Sequence, residues 1–281
     1  MDKITERILR ETGVPNLVSI LAEQLSPTDL QSLLLEVYRI RSGRIQPASL
    51  LSDFESNRFV KPSTVSPISL LRWEQIAFLH LPPEFIPVAL SPVCPLGANS
   101  VVASVDQNWS VTCIRNTEVV SDSTNVLALE CAIRRREFLR KNPKSTNPVH
   151  LAASHRLLRA QHYDSPESTT HFSAFALCSA GRDQGDFQFE LSTMGMQIRF
   201  YLMALRAFLG TDIPLHVSVT DLSLNGRTEL IESHLLSPLR SEFENVSCDF
   251  GLFSHPCYSR FRSALGTRGW RLGKLDSEAA Q

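Results

Sequence analysis

The sequence predicts an α+β fold, a mostly antiparallel sheet flanked by helices, with a helical N-terminal segment ahead of it. Three observations lead there. Apolar residues recur at helical spacing through the first part of the chain. In the middle, β-branched runs follow one another as neighbouring strands rather than alternating with helical crossovers. Near residues 149–179, two strand patterns are separated only by a polar loop.

Residues 2–12 mix charges with Ile4, Ile8 and Leu9 at helical spacing, and Gly13-Val14-Pro15 interrupts them. A short helix over 16–25 follows. The next is better marked: Ser26 is the N-cap, Pro27 the first helical residue, and Asp29 lies in the first turn. Leu30, Leu33, Leu34, Val37 and Tyr38 then form one stripe before Gly43. Residues 43–66, with Pro47, Pro62 and many serines, read as loop. They divide the chain into a helical segment and linker (1–65) and a main domain (66–281).

From Ser66-Pro67 a helix runs through Leu70, Leu71, Trp73, Ile76, Ala77 and Phe78 to Pro82-Pro83. Residues 86–91 read as a strand and Pro92 to Gly97 as a turn. Residues 100–105 and 110–115 flank Asp106-Gln107-Asn108-Trp109 as a hairpin. Asp122-Ser123-Thr124 caps a helix through about residue 140, whose last turns carry Arg134, Arg135 and Arg136, where cations suit the dipole. Strands are expected over 149–159, 171–179, 214–221 and 246–250, and helices over 190–209 and 227–243. The strands from 86 to 221 are expected in a single sheet.

Composition narrows the function classes. With 43% hydrophobic and 20% charged residues, the 281-residue chain is ordinary globular material. A net charge of −1 argues against a protein built mainly to coat nucleic acid. Six scattered cysteines form no C-x-x-C pair and read as reduced small hydrophobes. No uncharged apolar run reaches the roughly 20 residues that span a bilayer. The N-terminus does not read as a signal peptide, so a cytoplasmic protein is expected. Neither a P-loop nor a dinucleotide fingerprint occurs. His150, His155, His162 and His171 lack ligand spacing, and no metal site is expected.

Two segments carry candidate chemistry. His150-Leu-Ala-Ala-Ser-His-Arg-Leu-Leu-Arg-Ala-Gln161 puts Arg159 at a strand end, before a long polar loop and the return His171-Phe-Ser-Ala-Phe. An arginine so placed offers a planar two-pronged contact to carboxylate or phosphate, though alone it is equally a surface arginine. Upstream, Glu118 to Glu130 places Asp122 and Thr124 at a helix start. There they serve as a cap, as ligands to an ammonium, or as both.

In order and motifs, residues 66–255 resemble the catalytic core of the class II aminoacyl-tRNA synthetases, of the histidyl-, prolyl- and threonyl-type, in a reduced form. The resemblance implies that Arg159 and Gln161 are catalytic, Gln161 standing where the family has Glu. It implies that Asp122, Thr124 and His171 bind an amino acid, and that Arg159 with Arg268 and Arg271, in the glycine-rich stretch 266–273, contacts ATP accompanied by Mg2+. It further implies a homodimer through helix 66–80 and strand 86–91. No tRNA-reading domain is recognisable, so the acceptor of an aminoacyl adenylate would be a small molecule or protein. The alternative is a catalytically inactive paralogue acting as a regulatory or ligand-sensing subunit on a protein partner, like the synthetase-like subunit of ATP phosphoribosyltransferase.

Overall fold

A computed structural model describes residues 2–103, 105–160, 170–221 and 226–250. Helix α1 (Lys3–Thr12) is capped by Asp2, which accepts from the backbone N–H of Ile4 and Thr5, and it ends at Gly13 with φ 69°. That left-handed conformation is one that glycine adopts without strain. Then come α2 (Leu17–Ser19), running into a π-helical turn over Ile20–Gln24, and α3 (Pro27–Ser42), with Ser26 accepting from the Asp29 N–H. A fourth helix, α4 (Pro47–Ser56), occupies ground expected to be loop. Pro47 sits at its first turn, where a missing N–H costs nothing, so a residue read as a breaker is a starter.

Helix α5 (Pro67–Leu79) opens the main body, and β1 (Phe85–Pro87) and β2 (Val93–Pro95) follow. The expected strand over 86–91 is thus cut short, although the Val88 N–H still donates to Ala152 O at 2.8 Å. The expected hairpin of 100–105 with 110–115 does not form. Residues there make α6 (Ala98–Ala103), started by Gly97 with φ 88° and by a helical bond from Val101 N to Gly97 O. The β-branched pair Val101-Val102 pointed to a strand, but Val101 is 82% exposed and has no sheet neighbour to pack against. A hairpin forms a few residues later, between β3 (Thr112–Cys113) and β4 (Thr117–Val119), around Asn116 with φ 52°.

Next are α7 (Ser123–Lys141), β5 (Val149–Leu158), β6 (His171–Ala180) and α8 (Gln188–Leu209). The described chain closes with β7 (Leu215–Val219), α9 (Thr228–Ile231), a π-helical turn over Glu232–Leu236, α10 (Ser237–Glu242) and β8 (Val246–Phe250).

The fold is α+β, as the sequence predicts. The single sheet is not found: among the described residues there are three small ones, ordered β1-β5-β6, β2-β4-β3 and β7-β8. Antiparallel pairs dominate, but β1–β5 and β7–β8 are parallel. Helices intervene between β7 and β8, and that pair packs with α8 in a core of its own around Ile198, Leu202, Leu215, Leu235 and Leu239. Successive β5 residues face opposite ways. Leu151 and Ala153 lie against α7 through Leu127 and Cys131, while Ala152 shares a core with Ala77 of α5 and Phe200 of α8. Among the described helices none is long and apolar enough to cross a membrane.

Candidate functional site

The far end of β5 meets the start of α7. The Val120 backbone accepts from Leu158 N at 3.2 Å and donates to Pro92 O, so residues 120–122 lie beside the last residues of β5. Arg159, one residue beyond β5, then donates from Nε to Ser121 O at 2.9 Å. Its Nη2 lies 3.6 Å from Asp122 Oδ2, and its guanidinium stacks 5.0 Å from the centre of the Phe172 ring. The two charged side chains are 33% and 25% exposed, so the pair is covered yet reachable. The Asp122 carboxylate also caps α7: Oδ1 accepts from Thr124 N at 2.9 Å and Thr124 Oγ1 at 2.6 Å. Capping and side-chain pairing, alternatives in the sequence, coexist in one carboxylate.

Asp122, Thr124 and Arg159 are therefore brought together, though 37 positions separate the first from the last. His171 is not with them. It is in register with Leu158, on the opposite face of the strand pair from Phe172, and its ring bonds Arg156 Nη2 at 2.8 Å and Lys61 O at 2.5 Å. A single step along a strand reverses the face, so Phe172 rather than His171 meets Arg159. Gln161, Arg268 and Arg271 lie outside the described residues.

Beneath the corner is a polar network that sequence reasoning passed over. Glu118 of β4 is fully buried, and no cation pairs with it among the described residues. Its Oε1 accepts from Asn99 N and Asn99 Nδ2, both at 2.8 Å, and its Oε2 accepts from Gln107 Nε2 at 2.5 Å. Asn125 of α7 donates to Asn99 Oδ1 at 3.3 Å, tying the network to the helix that carries Asp122. One signal was available: Glu118 shares strand parity with the fully buried Val120 and so turns inward with it. Ser123 Oγ, next to Asp122, and His155 Nε2, on β5, are buried without a partner among the described residues. Burial holds the His155 imidazole below its ordinary range and keeps it neutral.

On the opposite face, the linker before α5 crosses the mouth of the β5–β6 pair. Arg58 donates to Ala160 O at 2.7 Å and its own carbonyl accepts from Thr170 Oγ1 at 2.8 Å.

A scan against known protein families finds no match, and no curated protein is significantly similar to the chain. Solved structures that are similar include an ATP phosphoribosyltransferase regulatory subunit/histidyl-tRNA synthetase from Bacillus halodurans C, at 14% identity and a TM-score of 0.38. It matches 51% of this chain and 37% of its own. PylSc, a pyrrolysyl-tRNA synthetase from Desulfitobacterium hafniense, matches at 15% identity and a TM-score of 0.36, over 55% of this chain and 49% of its own. Histidyl-tRNA synthetase from Nostoc sp. PCC 7120 matches at 15% and 0.35, over 62% and 42%. The chain thus spans less than half the length of each. All three are aminoacyl-tRNA synthetases or a regulatory subunit named together with one.

Proposed function

We propose that the corner between β5 and α7 binds an amino acid or a closely related zwitterion. The supporting observation is the 3.6 Å approach of Arg159 to Asp122 with Thr124 alongside. Each charge is the complement of one end of a zwitterion: Arg159 suits a carboxylate and Asp122 an ammonium. The ligand would replace a loose ion pair with two direct contacts, and Phe172 holds the guanidinium plane from one side.

In the catalytic form of this reading, a carboxylate oxygen of the bound amino acid attacks the α-phosphate of ATP. A P–O bond forms, pyrophosphate leaves with the electrons of the broken bond, and the aminoacyl group of the resulting adenylate then passes to an acceptor other than tRNA as AMP leaves. Arg159 would neutralise charge as it develops on the phosphate. A fit for Mg2+ is not found: no group of three His, Cys, Asp or Glu able to hold a metal occurs among the described residues. Any Mg2+ would then enter on the nucleotide. A second reading has its own support: Arg159 is already engaged by Ser121 O and Asp122, a closed state suited to a ligand-sensing or regulatory subunit with a protein partner. Assembly as a homodimer belongs to both readings.

Amino-acid-dependent ATP–pyrophosphate exchange and thermal stabilisation, measured across the twenty amino acids, test this. A ligand at a hundred times its Kd adds about 2.7 kcal/mol of stability, or roughly 5–10 °C in Tm for a chain of this size. Exchange supports the catalytic form, and stabilisation without exchange the sensing form. In both, Arg159→Ala and Arg159→Lys should abolish the shift, since a point charge does not reproduce a planar contact. Stabilisation that survives Arg159→Ala, or none with any amino acid, would sink the proposal.

A further inference from the structure

The two orphaned polar atoms beside the Arg159 corner, Ser123 Oγ and His155 Nε2, point into the same seam between α7 and β5. Ser123 is the first residue of α7 and is 1% exposed. Leu127 and Cys131, one and two turns further on, lie against β5, so Ser123 turns to the strand with them. His155 shares the parity of Ala153 and Leu157 and turns to the helix. Helix and strand run in opposite directions. Val120, just ahead of α7, is bonded to Leu158, whereas Cys131 Sγ lies 3.9 Å from Cys178 O, and Cys178 is in register with Leu151. From Cys131 back to Ser123 the helix rises about 12 Å. From Leu151 on to His155 the strand advances about 13 Å. The hydroxyl and the imidazole therefore oppose each other.

Around this pair the seam is apolar. Ala174 is the cross-strand neighbour of His155 and Ala153 precedes it on the same face, while Val126, Leu127 and Leu157 close the sides. Burial keeps the imidazole neutral, so neither orphaned atom brings a charge. The mouth of the seam is the corner itself, since Asp122 precedes Ser123 in the chain and Arg159 follows His155 and Leu157 with the same parity. Two unpaired polar atoms facing one another beside small side chains, under a pair of opposite charges, mark a place where a ligand group is missing.

We infer that this seam is the side-chain subsite of the corner and that the amino acid it takes carries a neutral carboxamide, as glutamine and asparagine do. The inference rests on the corner binding an amino acid. A carboxamide accepts through its oxygen and donates through its NH2, so a single group satisfies both orphans whichever tautomer His155 adopts. An aliphatic side chain of the same length leaves both unpaired. A carboxylate brings a charge into an apolar seam, with Arg159 already committed to the ligand's α-carboxylate. Entry of the ligand takes Arg159 off Asp122 and opens the corner above Ser123, and the two atoms then gain partners that the closed state lacks.

Isothermal titration of the full chain tests this with glutamine and asparagine, with methionine, leucine and glutamate as side chains of matching length, and with alanine as the reference. The better amide should bind at least about tenfold more tightly than alanine, a gain the other three should not share, because a ligand that leaves buried polar groups unpaired is rejected by that factor or more. Ser123→Ala should cut the ratio of the alanine Kd to the amide Kd about tenfold, and His155→Phe should erase the preference as well. The Tm of Ser123→Ala without ligand should not fall, because an unpartnered hydroxyl has no bond to lose. Failure of every amino acid to bind removes the corner reading and the subsite with it. Binding in which alanine, methionine or leucine equals the amides, a preference untouched by Ser123→Ala, or a clear fall in the Tm of that variant overturns the subsite and leaves the corner standing.

Discussion

Glu118→Ala should be among the most damaging single changes in the chain, although the residue touches no proposed ligand. The alanine would strand two buried donors, Asn99 N and Asn99 Nδ2, and a part-buried third, Gln107 Nε2. Each orphaned donor costs about 1–3 kcal/mol. Asn99 Nδ2 keeps a long alternative, Val119 O at 3.5 Å, so the loss is about 2–6 kcal/mol, a Tm fall of at least about 4 °C. Glu118→Gln should behave differently. Its amide oxygen stays on Asn99, and its NH2 faces Gln107, whose own amide can flip. The flipped NH2 then donates to Ser100 Oγ, and the hydroxyl proton of Ser100 goes to Gly97 O, already 3.3 Å away. Every buried group keeps a partner, and the cost is about 1 kcal/mol. Urea unfolding of both variants, with an Asn99→Ala double-mutant cycle expected to couple by about 1–3 kcal/mol, measures this. If Glu118→Gln is as damaging as Glu118→Ala, charge rather than hydrogen-bond completeness governs the site and the reasoning fails.

Acid should weaken the fold before the carboxylates titrate. Burial lowers the pKa of His150 and His155 from the usual 6.5, so between that value and their folded values the unfolded chain binds more protons. Stability should be level above about pH 6.5 and fall below it; an unchanged urea midpoint between pH 7.5 and 5.5 would contradict the burial of these rings. At the surface, Ile68, Leu71 and Leu79 are 79%, 66% and 75% exposed and share one face of α5. Closed two-fold dimers are the commonest assembly. Sedimentation at tens of micromolar should show a dimer that Leu71→Asp dissociates, and a monomeric native chain would refute this.

What the sequence determined is what short-range chemistry can encode. Ser26-Pro27-Asp29 specified α3, and Ser66-Pro67 specified α5, because capping and N-terminal proline act over a few residues. Asp122 was legible as a helix cap for the same reason, and β5 and β6 were legible as a strand pair from their pattern. Val101-Val102 misled because β propensity measures packing against neighbours, and those neighbours are chosen elsewhere in the chain. Tertiary structure alone decided that Arg159 reaches Ser121 and Asp122, since nothing local to either segment draws them together. It also set His171 on the far face, one strand step from where the family pattern wanted it. The inward turn of Glu118 was written in its parity with Val120, but its three donors, from Asn99 and Gln107, came only with the fold. An acid can be buried without a cation only where the chain returns enough N–H groups to it, and that is a property of the assembled structure.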